Sequence, residues 1–183
     1  MKSVMLSIRP KWCEKIVSGE KTIEVRKTKP KLKTPFKCYI YCTSGRPYLN
    51  IPISPERLMQ DYLETGSMQS LNCPLGNGKV IGEFACNRID RLAPANEPYG
   101  IYDIDDDYVL QTCLENGALW DYGHGTPLYG WHISNLRIYD EPRELSEFTG
   151  LRNTRFGAAP YDIKRPPQSW CYVEEWEKND GDK

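Results

Sequence analysis

Ser18-Gly19-Glu20-Lys21-Thr22-Ile23-Glu24-Val25-Arg26-Lys27 is the stretch from which the architecture is read. Gly19 suits the residue that closes a helix, where a left-handed backbone costs glycine no Cβ clash. A strand then begins, in which Ile23 and Val25 alternate with Thr22, Glu24 and Arg26. With a period of two, the aliphatic pair faces one side, while a hydroxyl, a carboxylate and a guanidinium share the other. Lys21 stands at the entry, so two cations, an acid and a hydroxyl lie within about 20 Å of extended chain. Such a set suits a polar ring, a phosphate or acid–base chemistry. A strand with one wet face carries the same residue types, so this strand alone leaves both readings open.

Upstream, Pro10 to Ser18 reads as a short helix, with Pro10 in its first turn and Trp12, Cys13, Ile16 and Val17 on one apolar face. Downstream, a Lys/Pro loop leads to a strand over Phe36 to Cys42. Ser54-Pro55-Glu56 starts a helix that runs through Leu58, Met59, Tyr62 and Leu63 to Gly66. Lys79 to Cys86 is a further strand, whose Gly82 marks a bulge or a close backbone approach. The region 95–107 is acidic and turn-rich. Tyr108 to Glu115 suits a helix, Asp121 to Thr126 reads as loop, and Trp131 to Tyr139 and Trp170 to Trp176 as strands. Short strands spread along the whole length, broken by brief helices, indicate an α+β, mainly β fold: a small β-barrel or curled sheet with short helices packed around it. Strands and helices do not alternate regularly, and no glycine-rich nucleotide fingerprint is present, which argues against a doubly wound fold.

A length of 183 residues fits one domain over residues 1–177, with a polar tail at 178–183. No apolar run approaches the ~20 residues of a membrane span, and the apolar stretch at the N-terminus is too short for a signal peptide. Seven cysteines, an odd number, read as reduced thiols of a cytoplasmic protein. The net charge of −1 hides an asymmetry: residues 1–46 hold twelve Lys and Arg against three Glu, and the remainder twelve against twenty-two acids. Lys27, Lys29, Lys31 and Lys33 recur by twos around Pro30. That run suits a nucleic-acid backbone, with salt-sensitive affinity, and equally a lysine-guarded sheet edge.

These blocks resemble the ASCH family, relatives of the PUA-like RNA-binding barrels. Gly19-Glu20-Lys21-Thr22-Ile23-Glu24-Val25-Arg26, preceded by Leu6-Ser7-Ile8-Arg9-Pro10, is similar to its G-x-K-x-x-E-x-R signature. Gly78 to Phe84 resembles its central strand, and Tyr129 to Ile133, Pro142 to Phe148 and Pro166-Pro167-Gln168-Ser169-Trp170 its later segments. The resemblance implies a PUA-like barrel that binds RNA or nucleotides in a cleft beside the signature strand. Lys21, Glu24, Thr22, Arg26 and Ser7 are the residues expected in that cleft; Gln168 and Ser169, at the mouth of the last predicted strand, suit a base edge, and Trp170 suits stacking on a base. Some small bacterial members remove the acetyl group of N4-acetylcytidine with a lysine, a threonine and a distant glutamate, and others cleave RNA. That lysine falls on Lys21, while the threonine position holds Glu24. Thr22, the nearest hydroxyl, is displaced by about 6–7 Å along the strand, beyond near-attack distance.

Other constellations carry less. Cys38 and Cys42 lie ~13 Å apart on a strand, too far to share a zinc, and read as small core residues. No metal site or cofactor is expected. The Asp103-Ile104-Asp105-Asp106-Asp107 run lacks the Gly and spaced Glu of a calcium loop. If Trp131 enters the core, His132 points the other way, and His124 falls on a loop. Three functional readings follow. The first is a cleft for RNA, single-stranded nucleic acid or a nucleoside-like small molecule, with Arg26 and Lys21 on phosphate or carbonyl oxygens and Glu24 on a ring amino group. The second is a hydrolase of an acylated nucleoside amide or of RNA, with Lys21 and Glu24 as its catalytic acid–base pair. The third is a protein-interaction module with a vestigial cleft, in which Arg26 and Glu24 pair internally.

Overall fold

The computed structural model describes residues 1–66, 73–95 and 100–176. Its strands are β1 (Lys2–Ile8), β2 (Ile23–Arg26), β3 (Phe36–Cys42), β4 (Val80–Leu92), β5 (Leu128–Arg143), β6 (Thr149–Thr154), β7 (Gly157–Asp162) and β8 (Trp170–Glu174). Four helices accompany them: α1 (Pro10–Val17), α2 (Pro55–Thr65), α3 (Asp106–Thr112) and α4 (Asn116–Gly123). All eight strands join one sheet in the order β2-β5-β4-β3-β1-β8-β6-β7. β1 and β3 pair in parallel, as the crossover through α1 and β2 requires; the other neighbours are antiparallel. The class is α+β and mainly strand, as expected. Of the two forms expected, a small barrel or a curled sheet, the structure has the curled, open sheet: β2 is four residues long, pairs with β5 alone and remains an edge.

The signature segment folds as its pattern dictates. Pro10 opens α1, which buries Cys13 and Ile16. Gly19 takes φ +80° and donates its N–H to the Ile16 carbonyl at 3.0 Å, turning the chain into β2. Ile23 enters the core. The main cluster gathers Leu6, Ile8, Ile16, Cys38, Ile40, Cys42, Phe84 and Trp131, from α1 and the strands it packs on. Cys38 and Cys42 are therefore small core residues. Trp131 is fully buried, and His132 turns to the opposite face, where it bonds Asp90.

Three elements differ from the expectation. The 121–126 stretch is not all loop: α4 runs to Gly123, because Leu119 is buried with Tyr102 and Leu128 in a separate apolar cluster. His124 takes a left-handed conformation as its cap. Strand β4 continues past Cys86 to Leu92, with register shifts around Gly82, where a Cβ would run into the Arg137 carbonyl. The hairpin β6–β7 was not anticipated, since its mostly exposed residues show no clean alternation. Helix α2 matches the expected span, Ser54 Oγ accepting from the Arg57 N–H and Gly66 closing it, yet it buries no side chain. The 178–183 tail lies outside the described residues.

Candidate functional site

A cavity of about 670 Å³ opens where the edge strand β2 faces the end of β1 and the segment entering β8. Glu24 and Arg26 reach it from β2, Lys21 from the turn before β2, and Ser7 from β1. Gln168 and Ser169 come from the approach to β8, and Trp12 from α1. Leu114, Ala118 and Tyr122 roof it from the α3–α4 insertion. The Ser7 N–H donates to the Ser169 carbonyl at 3.0 Å, which fixes the β8 approach against β1.

Lys21, Glu24 and Arg26 form a charged row almost out of contact with water, with side chains 1%, 8% and 9% exposed. Lys21 Nζ lies 3.5 Å from Glu24 Oε2, and Arg26 Nη2 lies 3.0 Å from Glu24 Oε1. Arg26 donates further, from Nη2 to the Ser7 carbonyl at 2.8 Å and from Nη1 to the Ser169 carbonyl at 3.4 Å. The guanidinium thus spans the seam that the backbone ladder leaves open between β2 and the β1–β8 pair. Lys21 Nζ donates to the Thr112 carbonyl at 2.5 Å and stands 5.3 Å from the centre of the Trp12 ring. One lysine thereby ties the end of α3 to the signature strand.

Taking two cations and one carboxylate out of water costs several kcal/mol per ion before attraction repays it. Such a group is held in place when its remaining donors and acceptors find partners, and here two do not. Ser7 Oγ and Arg26 Nε are buried without a hydrogen-bond partner. Both belong to residues that line the cavity. Buried polar atoms are rarely left in this state, so each is a place where an incoming ligand has something to satisfy. The row also holds one more positive than negative charge, which favours an oxygen-rich or anionic ligand. Burial raises the Tyr122 phenol above its usual range, so its hydroxyl stays protonated at neutral pH.

Of the sequence-predicted residues, the cavity brings together Ser7, Lys21, Glu24, Arg26, Gln168 and Ser169. Thr22 is exposed; its N–H donates to the Gln111 carbonyl at 3.0 Å, outside the cavity. The strand begins only at Ile23, so the period-two face holds for Glu24 and Arg26 only. Trp170 stacks obliquely against Trp131 and donates its indole N–H to Thr28 Oγ1 at 2.9 Å, beside the cavity wall. Lys27, Lys29, Lys31 and Lys33 lie exposed on the strap that leaves β2. The Glu24–Arg26 pair foreseen for an idle cleft is present, but within a cavity that keeps unpartnered polar atoms. Trp12 and Tyr122 were missed as cavity residues. Trp12 stands two turns ahead of the signature and reads as core, and nothing in the sequence links Tyr122 to a strand almost a hundred residues away.

The ASCH domain model matches residues 6–51. No curated protein matches the chain. Among solved structures, the ASCH protein of Zymomonas mobilis is 19% identical, covering 96% of this chain and 87% of its own, with a TM-score of 0.47. A point mutant of that protein is 18% identical, covering 97% and 91%, with a TM-score of 0.48. The family match over residues 6–51 agrees with the resemblance read from the signature, and the matched segment contains Ser7, Lys21, Glu24 and Arg26.

Proposed function

We propose that the cavity beside β2 binds a single nucleotide or modified base of RNA. The observation that carries this reading is the buried Lys21–Glu24–Arg26 row with two orphaned polar atoms, Ser7 Oγ and Arg26 Nε, in a cavity of ligand size. Arg26 and Lys21 meet phosphate or carbonyl oxygens. Glu24 keeps a free lone pair on each oxygen for a ring amino group, and the Gln168 amide reads a base edge from the rim. Trp12 and Tyr122 supply ring faces for the base, each worth roughly 1–3 kcal/mol when stacked. The RNA-binding character of PUA-like folds supports the same choice of ligand. A thermal-shift titration with nucleosides and nucleoside monophosphates tests it: the stability of wild type rises with the logarithm of ligand concentration above Kd, and that of Arg26→Met does not. Absence of any shift across that panel at millimolar ligand would discard the reading.

A hydrolytic use of the same cavity is favoured by one observation, the 3.5 Å approach of Lys21 Nζ to Glu24 Oε2. In that reading Glu24 takes a proton from water and Lys21 supplies one to the leaving group. Product release from acylated cytidines or RNA by wild type, and none by Glu24→Gln, is the required result.

A further inference from the structure

The strap between β2 and β3, residues 27–35, explains the lysine spacing. Pro30 is buried and Leu32 packs against the main core, so the alternate residues Lys29, Lys31 and Lys33 all face solvent. The strap is fastened to the body twice: Thr28 Oγ1 accepts from Trp170, and the Lys31 N–H donates to the Tyr172 hydroxyl at 2.8 Å. Two of its ammonium groups lie over aromatic faces, Lys27 Nζ 5.0 Å from the Tyr122 centroid and Lys29 Nζ 5.6 Å from that of Tyr129. Among the described residues, Lys27, Lys29, Lys31 and Lys33 have no carboxylate partner, in contrast to Lys37, which meets Glu175 at 2.9 Å. A fixed, unpaired row of positive charge on aromatic supports is the footprint of a polyanion backbone.

The two ends of that row reach different cavities. Lys27 stands over Tyr122, which roofs the cavity beside β2. Lys33 lines a second cavity of about 560 Å³, walled by Leu32, Pro35 and Phe36, whose polar lining includes Lys2, Asn135 and the carboxylates Glu83 and Glu175, both met by Lys37. Six residue steps from Lys27 to Lys33 span at most roughly 20 Å of extended chain, the scale of a short oligonucleotide and not of one nucleotide.

We propose that the chain binds single-stranded RNA across both cavities: one nucleotide beside β2, the backbone along Lys29, Lys31 and Lys33, and a later base in the second cavity against Leu32 and Pro35. This rests on the nucleotide reading of the first cavity and turns its ligand from a free nucleotide into a segment of a strand. Joining two weak sites through one strand makes the second contact intramolecular, so affinity rises with oligonucleotide length until both are spanned.

Fluorescence anisotropy with RNA oligonucleotides of one to eight residues tests this on wild type, Lys33→Glu and Ala85→Trp. Lys33 is exposed, so its charge reversal spares the fold; Ala85 lines the second cavity, and tryptophan there fills it without changing charge. Wild-type affinity is expected to rise about tenfold or more between one and about six nucleotides. Both variants lose that gain and keep mononucleotide binding. Flat length dependence, or wild-type hexamer binding by both variants, overturns the two-cavity track. Ser7→Ala reports on the first cavity alone. Weakened mononucleotide binding in Ser7→Ala beside unaffected hexamer binding in the other two leaves the first cavity standing and removes the second.

Discussion

Two carboxylates in this molecule are each gripped by two basic side chains, and they behave as opposites. Glu24 sits between Lys21 and Arg26 with all three side chains nearly sealed from water. Asp90 sits between Arg88 and His132, bonded at 2.7 and 2.6 Å, but Arg88 is 65% exposed and Asp90 25%. The second group makes the shorter contacts, yet water screens them, and exposed pairs contribute about 1 kcal/mol or less. The first group makes longer contacts in a medium that magnifies them, and removing one partner strands a buried charge. Distance alone misleads here; burial decides what an ion pair is worth. The sealed group lines a cavity together with two orphaned polar atoms, Ser7 Oγ and Arg26 Nε, whereas the orphaned atom beside Asp90 and His132 is the Tyr108 hydroxyl.

The sharpest test of that contrast is a pair of truncations. Glu24→Ala leaves Lys21 and Arg26 facing one another without a counter-charge and is expected to lower unfolding stability by about 3–5 kcal/mol. Asp90→Ala is expected to lower it by about 1 kcal/mol or less, both read by urea denaturation. Equal losses would break the comparison. Lys21→Met comes next, at about 2–3 kcal/mol, since it strands the Thr112 carbonyl as well as weakening Glu24's environment. Because Lys21 pins the end of α3, that variant also speeds amide exchange across residues 106–112.

Smaller and more diagnostic is Ser7→Ala. Its hydroxyl has no partner in the free protein, so its removal leaves stability unchanged or raises it by up to about 1 kcal/mol. Nucleotide affinity falls about tenfold in the same variant, as expected when a hydrogen bond is made to ligand alone. A loss of stability matched by unchanged affinity would assign Ser7 to the scaffold. The smallest effect concerns pH. The Arg88 hydrogen bond holds the Asp90 carboxyl below its ordinary value, with His132 adding to it. A folded value below the unfolded one means that the contribution is complete above the unfolded value of about 4 and fades as pH falls through the depressed folded value. The stability difference between wild type and Asp90→Asn therefore closes as pH falls below about 4, read by urea denaturation in acid.

Much of the site was legible because it is local. Gly19 to Arg26 is continuous chain, and a period of two with a helix-closing glycine fixes which of Ile23, Glu24, Val25 and Arg26 go in and which line the cavity. Thr22 escaped that rule because it precedes the strand and its N–H is held by the Gln111 carbonyl of α3, a contact with no local signature. Trp12 and Tyr122 escaped it too, since an aromatic residue reads as core until its neighbours are known. The β6–β7 hairpin and the end of α4 owe their form to packing and pairing, not to their own pattern.

By itself, then, the chain's order of residues determined the strands' faces, the closing glycines, the charged row's composition and the alternation that turns the strap's lysines outward. Those are consequences of backbone period and side-chain size, which act over a few residues. The sheet's failure to close, the burial that separates Glu24 from Asp90, the two orphaned atoms and the strap's position between two cavities were decided by the tertiary structure. Desolvation depends on every atom packed nearby, and most of those atoms come from chain far away in sequence.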